Sequence, residues 1–187
     1  MNNDKLPILN VKMASGGSFA IRLHPEWAPN ACACLIKFAN AGAYNGMQIE
    51  RIVPGFVVQP RYKDEGRPDI DCLIHGEFRS NGFEQNPDIH EKTVAMAGDG
   101  KSFSSGSQFF IAMGEHERLW GAFTAVGEVV EGWDEVKRIE NVETAPVVNA
   151  MGVSINEPVV PEVIEFISAE TFGIDYPEPE IYKWFEQ

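Results

Sequence analysis

Basic residues are scarce in this chain of 187, with 15 lysines and arginines against 28 acids and a net charge of −13. A surface of that sign repels phosphate backbones, which argues against nucleic-acid binding and against attachment to anionic membranes. The acidity itself reads as a solubility feature. Long apolar runs are missing too, since none approaches the ~18 residues that suggest a membrane helix. Cysteine is sparse. Cys32, Cys34 and Cys72 cannot all pair within one chain, and so few point to a reducing compartment. The opening Met1-Asn2-Asn3-Asp4-Lys5 lacks the basic segment and apolar stretch of a secretory leader, so a cytoplasmic location is expected. There is no internal repeat and no low-complexity tract, and a monomer is expected.

What is present is an ordinary globular composition, 44% apolar and 23% charged, over a length that suits one domain with a real core. Leu9, Val11 and Met13 alternate with polar or small residues, as do Phe19, Ile21 and Leu23. With Ser15-Gly16-Gly17 between them, residues 8–24 read as a β-hairpin. Pro29 suits a first helical turn, Ala31, Cys34, Leu35 and Phe38 follow at helical spacing, and Gly42 supplies the stop. Residues 47–59 read as two strands broken by Pro54-Gly55. Further strands are expected at 94–97, 108–113, 123–130 and 163–167, with a second helix near 132–140. Many strands with two helices and no regular alternation point to an antiparallel β-rich fold; the pattern leaves barrel and sandwich both open. Residues 157–187 differ, with eight acids against one lysine and four prolines, yet Trp184 and Phe185 are untypical of a disordered tail. The expected division is therefore a domain over 1–170 and an acidic extension, 171–187, packed on its surface.

Two runs carry the chemistry: Arg51-Ile52-Val53-Pro54-Gly55-Phe56-Val57-Val58-Gln59, and Gly106-Ser107-Gln108-Phe109-Phe110-Ile111. Each sets long polar side chains beside bulky apolar ones. Such a surface could bind an apolar ring while offering hydrogen bonds to a peptide backbone. Both runs resemble the signature stretches of the cyclophilin family of peptidyl-prolyl cis/trans isomerases, and the likeness extends in order from roughly Gly17 to Ile167. The resemblance implies a mainly β fold, a closed eight-stranded antiparallel barrel capped by two α-helices. It implies rotation about X–Pro bonds in peptides and unfolded polypeptides as the activity, with no cofactor and no metal.

Taken alone, Arg51 would be a surface arginine in an ion pair. In this run the resemblance makes it the principal catalytic residue, with Gln59 orienting it. Phe56 and Phe110 match the walls of a proline pocket, with Val57 beside Phe56 and Leu119 across from them. Gln108 matches a contact to substrate backbone, and Ala97 and Gly98 match an edge segment that pairs with the bound peptide. The stretch His75-Gly76-Glu77-Phe78 through Asn81-Gly82 is also family-like and reads as structural.

The departures are local. Arg118-Leu119-Trp120-Gly121-Ala122-Phe123 aligns with the family's common Trp-Leu-Asp-Gly-Lys-His, so Arg118 replaces a pocket tryptophan and Phe123 a histidine. Phe123 still closes an apolar pocket. An indole N–H donor is lost, which weighs against binding of cyclosporin-type inhibitors more than against activity. Gly98 stands where an asparagine is usual, and Pro60-Arg61 follows Gln59 where glycines are usual. Other motifs fail on context. Ala95-Met96-Ala97-Gly98-Asp99-Gly100-Lys101-Ser102 nearly spells a phosphate-binding loop, but no helix opens after it. Cys32-Ala33-Cys34 points to opposite sides of a helix, and Asp64, Glu65, Asp69 and Asp71 lack calcium-loop spacing. Two rivals remain: a catalytically weak module binding proline-containing segments, and a lipocalin-like carrier, which leaves the arginine run unexplained.

Overall fold

The computed structural model describes residues 6–60, 69–148 and 152–182. Strands β1 (Ile8–Met13) and β2 (Ser18–Leu23) form the expected hairpin, with Leu9 opposite Ile21 and Val11 opposite Phe19. Their alternate residues Leu9, Val11, Met13, Phe19, Ile21 and Leu23 all face the core, as a period of two demands.

Helix α1 (Pro29–Asn40) starts at Pro29, whose missing N–H would have been unpaired there anyway. Ala28, at the N-cap, offers no side-chain acceptor. The cap arrives from a distant part of the chain. Glu77 accepts from the Asn30 N–H at 3.0 Å through Oε1 and from the Ala31 N–H at 2.8 Å through Oε2. Glu77 is only 3% exposed. Burial raises the pKa of its carboxyl above the ordinary value, and the two N–H bonds offset only part of that. The Glu77 N–H donates to Thr124 Oγ1 at 2.9 Å, and Thr124 meets Ser104 Oγ at 2.9 Å. Nearby, Asn81 Nδ2 donates to the carbonyls of Gly76 at 2.8 Å and Ser102 at 2.9 Å. The helix is buried on more than one side, so Cys32 and Cys34 are both enclosed although they point apart. Burial pushes the Cys34 thiol up to about 12 and Cys32 well above its ordinary value.

The remaining strands are β3 (Ile49–Val53), β4 (Val57–Pro60), β5 (Leu73–His75), β6 (Thr93–Gly98), β7 (Phe103–Ala112) and β8 (Ala125–Glu131). After helix α2 (Trp133–Glu140) come β9 (Thr144–Val148), β10 (Ser154–Pro158) and β11 (Ile164–Glu170). Hydrogen-bonded neighbours run β11-β1-β2-β8-β6-β7-β4-β3, with β5 pairing off this path to β7. Among the described residues the sheet has nine strands, eight of them on this path, and it is not the closed eight-stranded barrel expected. Between its ends the described residues form the isolated Gln48↔Val163 bridge, through Ile49 N–H to Glu162 O and Ile164 N–H to Met47 O, with Gly46 N–H to Ile164 O beside it, all at 2.8 Å. The end strands are held together there without a ladder. Strands β9 and β10, which the sequence pattern does not show, form a separate hairpin with β10 alongside β3.

The strands around β7 are buried on both faces. Val58, Val94, Met96, Phe109, Ile111 and Val126 belong to the main core. Their chain neighbours Val57, Ala95, Phe110, Ala112 and Ala125 point the other way, into a second cluster with Ile89 and Leu119. This second cluster floors the site described below.

Residues 171–182 run back toward α1. Asn30 and Glu180 exchange hydrogen bonds at 2.8 and 2.9 Å, Tyr182 forms a bridge with Leu73, and Lys37 pairs with Glu178. Tyr176 and Ile181 pack against the main core. The polar connection at 61–68, with charges of both signs, lies outside the described residues, as do Trp184 and Phe185; Ile70, just after it, is buried. No described helix is long and apolar enough to cross a membrane.

The Glu77 cap yields a test. Replacing Glu77 by Ala leaves two helix N–H groups unpaired and should cost about 1–3 kcal/mol in denaturant melts. A carboxyl whose native pKa is raised holds its proton more tightly when folded. Its contribution is thus fully present below the unfolded value, near 4.5, and declines as pH rises through the native one. The stability gap between wild type and Glu77→Ala should narrow from acid toward neutral pH; a gap that widens would contradict the burial of this carboxylate.

Candidate active site

The β3–β4 hairpin reverses at Pro54-Gly55, where Gly55 takes φ +71°, a conformation that glycine adopts without strain. The turn sets Arg51 opposite Gln59 across the two strands. From that register the Arg51 Nη1–H donates to Gln59 Oε1 at 3.2 Å, while Gln59 itself is buried. The Gly55 N–H donates to Glu140 Oε1 at 2.7 Å, and the Gly55 carbonyl accepts from His116 Nε2 at 2.7 Å. Helix α2 and the segment after β7 therefore hold the turn by its own peptide groups. Glu140, almost fully buried, also pairs with Lys137. The Met113 N–H donates to the Phe56 carbonyl at 2.9 Å, which ties the start of β4 to the end of β7.

Phe56 projects from this turn beneath two cations. The Arg51 guanidinium carbon lies 5.6 Å from its ring centroid and that of Arg118 lies 4.2 Å away, both within cation–π range. The His116 ring meets Phe56 edge-on at 4.7 Å. On the far side of the floor, Phe110 and Phe123 contact edge to face at 5.9 Å. Together these groups enclose an open cleft of about 400 Å³ lined by Arg51, Phe56, Val57, Gln59, Ala97, Gly98, Phe110, Arg118, Leu119 and Phe123.

Every site residue expected from the sequence lines this cleft except Gln108. The reason lies in β7. Met96 pairs with Phe109 but Gly98 pairs with Ser104, so residues 105–108 arch out of the ladder opposite a single residue of β6. Ser105 Oγ accepts the Ser107 and Gln108 N–H groups at 3.2 and 2.9 Å within that arch. Two residues of the site, His116 and Glu140, carry no mark in the sequence. Both bind peptide groups of Gly55, and no complementary side chain signals such contacts.

The departures also have physical form. A Cβ at position 98 would lie 2.5 Å from the Phe103 carbonyl oxygen, so this backbone leaves no room for an asparagine. Trp120 does not turn into the cleft, because its indole N–H donates to the Ile89 carbonyl at 3.0 Å. The loop that nearly spells a phosphate site is closed on itself. Asp99 Oδ1 accepts the N–H groups of Lys101, Ser102 and Phe103 at 2.8, 2.9 and 3.0 Å, using the donors a phosphate would need. Slight burial opposes ionisation of Asp99, but those three donors outweigh it and lower its pKa.

Known proteins match this chain closely. The family described as cyclophilin type peptidyl-prolyl cis-trans isomerase/CLD matches residues 8–161. A probable peptidyl-prolyl cis-trans isomerase of Brucella suis is 36% identical over 132 residues, covering 66% of this chain and 67% of that protein. Peptidyl-prolyl cis-trans isomerase B of Bacillus subtilis is 35% identical over 135 residues, covering 69% of this chain and 87% of that protein. The crystal structure of a cyclophilin type isomerase from Cryptosporidium parvum superposes with a TM-score of 0.71 at 18% identity, covering 88% of this chain and 98% of that one. A second structure of that parasite protein, crystallised in the presence of the dipeptide Ala-Pro, gives a TM-score of 0.70. At such low identity these structures speak for the fold alone. The family match, which runs through both motif runs, is decisive: this chain belongs to the cyclophilin-type peptidyl-prolyl cis-trans isomerases.

Proposed function

We propose that the cleft accelerates cis/trans rotation about X–Pro bonds in peptides and unfolded polypeptides, assisting protein folding. One observation carries this reading. A guanidinium, held by a buried glutamine, borders an apolar floor made of Phe56, Val57, Phe110, Leu119 and Phe123. Rotation is slow because amide resonance imposes a barrier of ~18–20 kcal/mol. The two X–Pro isomers differ by only ~1 kcal/mol and exchange over tens of seconds or longer. The reaction makes and breaks no covalent bond, so it asks for a pocket that grips the ring and a group that favours the twisted amide. In the twist the prolyl nitrogen regains its lone pair. A permanently charged donor placed there stabilises the transition state more than the planar ground states. Arg51 takes that role in our reading, Gln59 fixes its direction, and Ala97 and Gly98 offer backbone to the peptide.

The same reading takes residues 1–170 as the isomerase domain and 171–187 as a surface extension, supported by the contacts of Glu180 and Tyr182 with Asn30 and Leu73. Three free, buried thiols favour the cytoplasm. It also takes the working form to be a monomer.

Isomerisation of a short X–Pro peptide tests the proposal. Arg51→Ala should lose about 100-fold or more in kcat/KM while keeping wild-type circular dichroism and Tm. A wild type that gives no acceleration at any concentration would favour the binding-module alternative. A second measurement concerns the rebuilt wall. Arg118→Trp restores an indole N–H and should raise affinity for cyclosporin by about ten-fold, the worth of one hydrogen bond; unchanged affinity would mean that position 118 is not where the inhibitor meets the cleft.

A further inference from the structure

In a chain of net charge −13, the described residues that line the cleft include two arginines and no acid. The rest of the lining is apolar, glycine or amide. Arg51 is committed to Gln59. Arg118 is placed differently. It is an exposed residue one position before the buried Leu119 of the floor, and no described residue forms an ion pair with it. The nearby acids are directed elsewhere or left in solvent. Glu115 bonds His90 and the Glu91 N–H, Glu140 bonds Gly55 and Lys137, and Glu117 is exposed.

What positions Arg118 is the Phe56 ring. The guanidinium carbon lies over the ring, 4.2 Å from its centroid, and a cation–π contact of this kind uses none of the N–H donors. The side chain thus stands at the mouth of the cleft with no described residue taking up its hydrogen-bonding fork. The chemistry matching a fork of this kind is a carboxylate, which accepts two parallel N–H bonds.

We propose that Arg118 makes this isomerase selective for segments carrying a carboxylate side chain, Glu or Asp, next to the proline. The proposal rests on the reading that the cleft holds the proline ring. The acidic surface opposes such a substrate at long range. Screening decides between the two effects: at physiological salt the Debye length is about 8 Å, so distant repulsion is damped while a contact inside the cleft is kept. The partner is partly exposed, which limits the gain to a modest factor.

The test uses peptides of one sequence with Glu, Gln or Lys directly before or directly after the proline, at about 0.15 M salt. Exchange spectroscopy by NMR reads both Kd and isomerisation rate for each. The wild type should bind the Glu peptide about five-fold more tightly than its Gln isostere at one of the two positions, and the Lys peptide least tightly. In Arg118→Gln the Glu-to-Gln ratio should fall to about one, and in Arg118→Glu the order should invert in favour of Lys. A wild-type ratio near one at both positions, or a ratio unchanged in Arg118→Gln, overturns the proposal. Failure of the underlying activity looks different. The Gln peptide would then show no enzyme-driven exchange, while the Kd ratios would still report on the selection.

Discussion

One residue, Gly55, holds the site together through the two peptide groups on either side of it. Strand β3 ends the sheet path, and among the described residues its ladder is with β4, so the β3–β4 turn is tied to the rest of the sheet through β7 on one side only. Two hydrogen bonds change that, one from the Gly55 N–H to buried Glu140 and one from His116 to the Gly55 carbonyl. The bond to the carboxylate is of the kind worth about 1.5–3 kcal/mol, a large share of the stability of an ordinary domain. Arg51, Phe56, Val57 and Gln59 all lie within four residues of that turn. Through it, α2 becomes part of the site without lining it, and a helix with no contact to the cleft fixes where the guanidinium stands.

Elements with a strong local period are legible in the residues themselves. The β1–β2 hairpin, both helices and β11 follow from alternation, from helical spacing and from Pro29. What stays hidden in the sequence is short, proline-bearing or non-local. Strand β5 has three residues, and β9 and β10 carry Pro146 and Pro158, which read as interruptions. Closure of the sheet depends on how its two most distant strands approach each other, and no window of residues reports that; among the described residues they meet in a single bridge. The site divides the same way. Arg51 and Gln59 are visible as a pair because the turn between them fixes the register. Gln108 is not among the lining residues, since two-residue alternation assigns it to the face of Phe110 while the arch at 105–108 breaks the alternation. His116 and Glu140 each bind backbone groups far away in sequence, so no motif marks them, and Glu77, within a stretch that reads as structural, shows its capping partners only in the fold.

The departures from the family pattern now have reasons of different kinds. Gly98 answers to the Phe103 carbonyl, so it is a matter of space. Phe123 joins Phe110 in an aromatic pair and keeps the floor apolar. Arg118 answers to no packing demand beyond resting on Phe56. The first two preserve the pocket that the fold provides, and the third alters its character.

The two faces of β4, β6, β7 and β8 serve separate clusters, one within the curve of the sheet and one beneath the cleft. Successive residues such as Phe109 and Phe110, or Val57 and Val58, therefore answer to different masters. This separation bears on descent. Changes along the cleft face can accumulate over generations while the opposite face, and the folding it secures, stays untouched. A lineage built this way can diversify its clientele cheaply, and a rebuilt rim beside an intact arginine hairpin is the pattern such freedom leaves behind.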